Sequence, residues 1–215
     1  MNRLTPLQRE AARLLFGLPE SAGFALAGGS ALVALGVIDR PTRDLDAFVA
    51  AQHEDPPGDV SPLVDAYESA LVGHGWSVEV IRRHATFARL VATLDGGTIE
   101  IDLAVDSPPL FPIGHVDDVP TLAPEDLAAR KVLAVLDRAE GRDFTDLWVL
   151  SRRFSTDECI AWARQLDNGV DHGEIANAFG RLNRLHDDEL PCRLRDRPAV
   201  RRWFEDWGEA LARVR

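Results

Sequence analysis

The fold of this chain is decided between Leu26 and Val49, where the sequence reads LAGGSALVALGVIDRPTRDLDAFV. A short apolar lead at residues 24–27 predicts a buried strand that ends at two glycines. The alanines and apolar residues that follow favour a helix, which Gly36 would end. Glycine lets the backbone approach an anion and a helix start offers unpaired N–H groups, so Gly28-Gly29-Ser30 predicts a phosphate-binding turn. The alternative is an ordinary turn between strand and helix.

Two carboxylates with one residue between them, Asp44 and Asp46, follow on a second predicted strand. Residues two apart on a strand point to the same face, so both can converge on one cation while Leu45 and Ala47 face the core. Oxygen ligands of this kind hold the divalent metals of phosphoryl-type transfer. The pair therefore predicts a metal site. The alternative is that one aspartate caps a turn and the other is a solvated strand residue.

A third carboxylate is expected from the segment 97–105, which has the best alternating pattern in the chain. One face of this predicted strand is apolar, and the other carries Glu100 and Asp102. We choose Asp102, which is nearer the C-terminal end of the strand, with Glu100 in reserve. It would serve as a metal ligand or as the general base for an attacking hydroxyl. The alternative is an exposed edge strand with ordinary surface charges.

A further signal lies on the predicted helix that begins at Pro124. Lys131 is the only lysine in a sequence that otherwise uses arginine for positive charge. A compact ammonium suits a phosphate contact made as a point charge, so Lys131 is a candidate phosphate ligand. Asp143 and Asp146 follow, and for them the stronger interpretation is ordinary helix-start chemistry, an N-cap aspartate with an acidic residue at N3.

These motifs together resemble the AbiEii-type nucleotidyltransferase toxins of bacterial toxin–antitoxin and abortive-infection systems, including the MenT toxins of mycobacteria. Order and spacing both agree, and the resemblance covers residues from about 25 to 150. The matching elements are Gly28-Gly29-Ser30, Arg40 to Asp46, Lys131 with Ala134, and Arg142-Asp143-Phe144-Thr145-Asp146.

The resemblance implies a DNA polymerase β-like nucleotidyltransferase core, Mg²⁺, a nucleoside triphosphate (NTP) donor, transfer to the 3′ end of tRNA, and a cognate antitoxin protein. Carried over by position, Asp44 and Asp46 would bind metal, Ser30 and Lys131 would contact the triphosphate, and Asp146 would support the site. With the third carboxylate chosen above from the strand pattern, the expected catalytic residues are Asp44, Asp46, Asp102 and Lys131. The metal ligands are Asp44, Asp46 and Asp102. The nucleotide-binding residues are Gly28, Gly29, Ser30, Arg43, Lys131 and Asp146.

Two other functions stay open. Small-molecule nucleotidyltransferases that modify lincosamide or aminoglycoside antibiotics also resemble the early Gly-Gly and Asp-x-Asp region. A protein that binds nucleotide without turnover and acts through a partner is the second alternative. The part beyond residue 150, where acceptor choice is expected to lie, has no motif that can be aligned.

Charge limits the possible nucleic-acid contacts, because a net charge of −11 argues against a protein that coats nucleic acid. Residues 1–150 carry 12 basic and 23 acidic side chains, whereas residues 151–215 carry 12 of each. The second part contains an arginine group beside tryptophans, formed by Arg193, Arg195, Arg197, Arg201, Arg202, Trp203 and Trp207. It could grip RNA. Alternatively, the tryptophans are core residues and the arginines pair with Glu205, Asp206 and Glu209.

The remaining features fit a cytoplasmic enzyme. No apolar run is long enough for a transmembrane helix, the N-terminus does not open a signal peptide, and no membrane partner is expected. Cys159 and Cys192 are expected to be free thiols, and the six histidines show no metal-ligand spacing.

The organisation predicted is an α/β (α+β) fold with a mixed sheet, followed by a helical C-terminal part. Helices are expected at residues 5–18 and 62–74, a loop at 52–62, strands at 76–81, 86–94 and 98–105, and a proline-marked linker at 108–120. From Pro124 onward the pattern is helical. We expect a nucleotidyltransferase core at residues 1–118 and a helical domain at 119–215 that completes the nucleotide site.

Overall fold

The structure, a computed structural model, describes residues 4–49 and 58–213. Residues 52–57 of the predicted loop therefore lie outside the described part. The chain divides into two compact units, Met1–Ala123 and Pro124–Arg215. None of the described helices is long and apolar enough to cross a membrane.

The first unit is built on a sheet that, over the described residues, has seven strands in the order β3-β4-β5-β2-β1-β7-β6. β1 is parallel to β7 and β2 is parallel to β5, while the other neighbours are antiparallel. The mixed sheet predicted from the sequence is thereby confirmed. The strands are β1 (Phe24–Ala27), β2 (Asp44–Val49), β3 (Ser77–His84), β4 (Phe87–Leu94), β5 (Gly97–Ala104), β6 (Gly114–Val116) and β7 (Val119–Thr121).

The described part of this unit also has three α-helices and one 3₁₀ helix. They are α1 (Pro6–Phe16), α2 (Gly28–Ala34) and α3 (Ser61–Gly73), with the 3₁₀ helix at Pro19–Ser21. α1 and α3 are the two helices predicted at residues 5–18 and 62–74. The Tyr67 hydroxyl of α3 donates a 2.9 Å hydrogen bond to the Ala11 carbonyl of α1 in the core. Alternate strand residues are fully buried, which gives β2, β4 and β5 one apolar face; they include Leu45, Ala47, Leu90, Ile101 and Leu103.

One expectation and one alternative drawn from the sequence were wrong in this unit. The proline-marked linker contains β6 and β7, and β7 pairs with β1 through Leu26 and Thr121. Three-residue strands carry too little periodicity to be recognised, and Pro120 argues locally against a strand. The unit boundary accordingly falls after residue 123. The alternative for segment 97–105 was an edge strand, but β5 is internal, between β4 and β2.

The described residues of the second unit form helices joined by loops, without strands, as predicted. Its α-helices are α4 (Pro124–Asp137), α5 (Gly141–Leu150), α6 (Thr156–Leu166), α7 (His172–Gly180) and α8 (Arg197–Arg213), and its 3₁₀ helices are Arg181–Arg184, Asp187–Glu189 and Leu194–Asp196.

Aromatic rings form the centre of this helical unit. Phe204 of α8 makes edge-on contacts with Phe144 at 5.0 Å and Phe179 at 4.9 Å between ring centroids. Trp207 is buried and packs against Phe179 at 4.5 Å. Trp207 is therefore a core residue, which agrees with the alternative to RNA binding that the sequence analysis gave for the arginine–tryptophan group. Arg201 does not use the expected acidic partners on its own helix, because it pairs with Asp187 at 2.8 Å.

Candidate functional site

The aspartates of β2 face the predicted direction. Asp44 and Asp46 are half-buried, whereas the alternate residues Leu45, Ala47 and Val49 are buried. β2 and β5 run parallel in a register that sets Asp44 beside Glu100 and Asp46 beside Asp102. Neighbouring strands lie about 4.8 Å apart, so each pair is adjacent on one sheet face. The register thus brings the two carboxylates of β2 beside the two of β5, which lie more than fifty residues later in the chain.

Gly28 is the point at which the glycine turn contacts this carboxylate face. Its φ angle is +56°, in the left-handed region that favours glycine. A Cβ atom at this position would collide with Oδ2 and Cγ of Asp46. Position 28 therefore requires glycine both for its backbone angle and because the Asp46 carboxylate occupies the space of a side chain.

Gly29 lies next to the Arg40-Pro41-Thr42 segment that precedes β2. A Cβ atom here would lie 3.3 Å from Arg40 Nη2 and 3.3 Å from Thr42 Oγ1. The Arg-x-Thr segment consequently folds back onto the glycine turn before β2 begins. The side chain of Arg43, which we predicted to bind nucleotide, is exposed, and its carbonyl accepts a 3.4 Å hydrogen bond from Glu100 N.

Ser30 is fully buried, and its hydroxyl is engaged with the protein backbone. Its Oγ donates to the Ala27 carbonyl at 2.9 Å and accepts from the Asp46 N–H at 3.1 Å. The residue therefore ties the start of α2 to the strand that carries Asp46. Its direct contact with a triphosphate remains a prediction.

Gln8 is a supporting residue that the sequence reasoning missed. It is buried on α1, where its Nε2 donates to the Thr42 carbonyl at 3.0 Å and to the Asp44 carbonyl at 3.3 Å. Its Oε1 accepts from the Thr5 N–H at 3.0 Å, within a capping box. The Thr-x-x-Gln spacing could have predicted the capping box. No residue pattern near Gln8 in the sequence could have predicted its contact with β2.

Arg89 on β4 is a second residue that was missed. It holds Asp102 with two hydrogen bonds, Nε to Oδ1 at 2.7 Å and Nη2 to Oδ2 at 2.6 Å. This hydrogen-bonded pairing with Asp102 raises the pKa of Arg89 above its usual range. Pairing the predicted strands through their Asp95-Gly96-Gly97 turn could have placed Arg89 opposite Asp102, which is the observed register.

The donor set on this face suits a hard cation, because Mg²⁺ prefers carboxylate oxygens. Across residues 4–49 and 58–213, however, no three His, Cys, Asp or Glu side chains are grouped closely enough to hold a metal ion. Asp102 is instead turned to Arg89. Metal binding by Asp44, Asp46 and Asp102 remains a prediction that the ligand chemistry fits.

The second unit contains its own charged cluster around Lys131, which is 6% exposed. Lys131 Nζ lies 3.0 Å from Asp143 Oδ1 and 3.0 Å from Asp146 Oδ2. Arg138 adds two hydrogen bonds to Asp143, at 2.8 and 2.9 Å. We call these four residues, Lys131, Arg138, Asp143 and Asp146, the buried ion cluster, although the side chain of Arg138 is 43% exposed and only the other three are buried.

The interpretation of Asp143 and Asp146 as ordinary helix-start residues was wrong. The N-cap of α5 is Glu140, whose side chain makes no capping hydrogen bond, and both aspartates are buried against cations. Burial by itself raises the pKa of Asp143. The hydrogen bonds from Arg138 and the charge of Lys131 outweigh burial and lower this pKa to about 2. Asp143 is therefore a buried, ionised partner of both cations.

The fold, with its glycine turn against an aspartate-bearing strand of a mixed sheet, is similar to those of solved nucleotidyltransferase structures. A Helicobacter pylori protein described as a candidate nucleotidyltransferase has a similar structure, with a TM-score of 0.57 at 14% identity over 97% of this chain and 96% of that chain. JHP933 from the same organism gives 0.51 at 17% identity over 97% and 96%. The antibiotic-resistance factor ANT(2'')-Ia gives 0.52 at 12% identity over 75% and 92%.

The family is established by sequence. The model of the nucleotidyl transferase AbiEii toxin family, of type IV toxin–antitoxin systems, matches residues 13–214, and the chain belongs to that family. The resemblance to the AbiEii toxins that was inferred from the motifs is thus confirmed. A sequence comparison with curated proteins gives no match.

Proposed function

We propose that this AbiEii-family toxin is a magnesium-dependent nucleotidyltransferase that moves a nucleoside monophosphate from an NTP to a hydroxyl at the 3′ end of tRNA. The observation that carries the proposal is the pairing of Asp46 with Asp102 in parallel register, with Gly28 packed directly against the Asp46 carboxylate. An antitoxin that counteracts the protein follows from its family. Transfer occurs in one step, in which the acceptor oxygen bonds to the α-phosphorus, the bond to the β-phosphate oxygen breaks, and pyrophosphate leaves.

The carboxylate face would hold the metal through Asp44 and Asp46, with Asp102 as the third ligand or as the base that takes the acceptor proton. Asp102 is the better choice than Glu100, because it lies beside Asp46 and its side chain is 13% exposed against 47% for Glu100. Bound magnesium would neutralise phosphate charge and polarise the α-phosphate.

Nucleotide contacts are assigned from the family motifs. Backbone N–H groups of Gly28, Gly29 and Ser30 would contact the triphosphate, as would Lys131, while Asp146 supports Lys131 and Arg43 adds positive charge. The ammonium of Lys131 is held by two aspartates, so a phosphate must compete with them for it. Arg138 continues to compensate Asp143 while Lys131 changes partner.

The test is labelling of total tRNA with each radioactive NTP in the presence of Mg²⁺. Asp46→Asn should lower labelling by at least about a hundredfold, because the metal-assisted step contributes several kcal/mol. Asp95→Asn is the matched control, since it makes the same chemical change in a hairpin turn at φ +50°, which asparagine tolerates. Equal labelling by both variants would contradict catalysis by Asp46.

A small-molecule acceptor is the second candidate, and the similarity in fold to ANT(2'')-Ia favours testing it. The same assay with a panel of aminoglycosides and lincosamides replaces the tRNA. Label that appears on a drug and depends on Asp46 would support this candidate. Toxicity in cells that is unchanged by Asp46→Asn would instead support a binding protein without turnover.

A further inference from the structure

The carboxylate face of the sheet continues outward across β5, β4 and β3 in ordered cross-strand rows. Side chains paired across strands share a face, so the register defines each row. We call the row through Arg82, Arg89, Asp102 and Asp46 the charged row. It runs from the sheet edge at β3 to the predicted metal site, with its two cations at the edge side and its two anions at the site.

The cations of the charged row are accessible. Arg82 is exposed, and the Arg89 side chain is 42% exposed although it holds Asp102. They stand out because residues 1–150 carry 23 acidic but only 12 basic side chains. Adjacent strands are about 4.8 Å apart, so the distance from β3 to β2 is about 14 Å across three spacings, which is enough for a few nucleotides. The row thus presents positive charge on the approach to Asp46.

An aromatic row lies on one side of the charged row, formed by His84, Phe87, Ala104 and Phe48. Both phenylalanines are half-buried, and the Arg89 guanidinium carbon is 6.0 Å from the centroid of the Phe87 ring. An open sheet face that combines half-exposed aromatic rings with arginines is suited to single-stranded nucleic acid, because bases stack on the rings and phosphates pair with the cations.

An acidic row lies on the other side and contains Glu79, Val91, Glu100 and Asp44. Its carboxylates repel phosphates, so a polynucleotide must follow the charged and aromatic rows. We propose that these two rows bind the single-stranded 3′ end of an RNA acceptor, with phosphates on Arg82 and Arg89 and a base on Phe87. This inference rests on the proposed function and adds the surface on which its acceptor lies.

The experiment measures fluorescence anisotropy of a short fluorescein-labelled single-stranded RNA with a tRNA 3′-end sequence, without NTP. Arg82→Gln should weaken binding severalfold and reduce the slope of log affinity against log salt by about 0.7, the value for one phosphate contact on a single strand. Phe87→Ala should weaken binding by about fivefold or more, because one stacked base is lost. A blunt duplex of the same sequence should bind more weakly than the single strand.

Arg83→Gln is the matched control, because it removes the same charge from the next residue of β3. Arg83 pairs with Ala88 and points to the helix-covered face, where it binds Asp65 of α3 at 2.6 Å. RNA binding should therefore change less than about twofold, because Arg83 does not lie on the face that carries the two rows. Loss of its ion pair should also cost little stability. Thermal melting of all variants establishes that each is folded.

The outcomes separate this proposal from the function on which it rests. Weaker RNA binding by Arg82→Gln and Phe87→Ala, with Arg83→Gln unchanged, supports the surface. Equal RNA binding by Arg82→Gln and Arg83→Gln overturns it, even where tRNA labelling still depends on Asp46. Asp46-dependent labelling of a drug with no binding of the RNA probe overturns both the surface and the RNA acceptor, while leaving nucleotidyl transfer in place.

Discussion

Gly28 is the residue whose replacement is easiest to interpret, because a second glycine supplies its control. Gly28→Ala introduces a strained backbone angle and a collision with the Asp46 carboxylate, whereas Gly36→Ala introduces the same kind of strain at φ +67° with open space around it. Each change should cost about 1 kcal/mol in unfolding free energy from backbone strain. Only Gly28→Ala should also abolish NTP-dependent labelling, since Asp46 must move.

Urea unfolding and the labelling assay, applied to both alanine variants, check this prediction. Retained labelling in Gly28→Ala would show that the Asp46 carboxylate does not need the position it occupies beside the turn. Equal loss in both variants would indicate that backbone strain, and not the collision, is responsible.

Asp143 makes the stability of the second unit depend on pH. Its pKa is about 2 in the folded protein against 3.8 for an unperturbed aspartate, so the folded state favours the ionised form. The resulting stabilisation, about 2 kcal/mol, is fully present above pH 4 and is lost as the pH falls towards 2.

Asp143→Asn should therefore lower the unfolding free energy near neutral pH and flatten its decline between pH 4 and 2. Urea titrations at several pH values, followed by tryptophan fluorescence, provide the measurement. Asp188→Asn is the control, because that aspartate is exposed in the same unit. Parallel pH curves for wild type and Asp143→Asn would contradict the role of the buried ion cluster.

At the scale of elements, α1 fixes the start of β2 through one amide group. Gln8→Glu keeps an acceptor for the capping box at Thr5 but replaces the donor that binds the Thr42 and Asp44 carbonyls. We expect a loss of about 1–3 kcal/mol in unfolding free energy, because a carboxylate would face two carbonyl oxygens in the core. Labelling should fall as well, since Asp44 moves with its backbone.

Gln165→Glu makes the same change on the exposed surface of α6 and should leave stability and labelling unchanged. Chemical denaturation of the two variants beside wild type is the measurement. A Gln8→Glu protein as stable and active as wild type would show that the amide contact does not position β2.

The sequence predicted the strands that carry the candidate site residues better than it predicted the long-range contacts that hold those strands in place. Alternation placed Asp44, Asp46 and Asp102 on the correct faces, because period-two patterning is local and strong on half-buried strands. The contacts of Gln8 with β2 join residues more than thirty positions apart, and no spacing rule encodes them. β7 was missed for the same reason, since its position beside β1 depends on pairing across the sheet and not on its own three residues.

At the scale of the molecule, the two units have separate cores, and the family motifs are divided between them. The carboxylates and the glycine turn lie in the first unit, and the buried ion cluster lies in the second. The arginine–tryptophan group illustrates what composition could not decide: Trp207 belongs to the aromatic core, although its arginine neighbours suggested RNA. The role of Lys131 toward nucleotide stays a prediction that the family motif supports.

The order of the strands has a consequence for how the toxin is made. β2 ends at Val49, but its parallel neighbour β5 ends at Ala104, and β7, the far neighbour of β1, ends at Thr121. A nascent chain on the ribosome therefore lacks the strands on either side of β1 and β2 until more than half of it has been translated, and folding from the N-terminus cannot complete the sheet earlier. Translation that stops before β7 has been made should therefore release a fragment whose sheet is incomplete, and such a fragment should have no transfer activity.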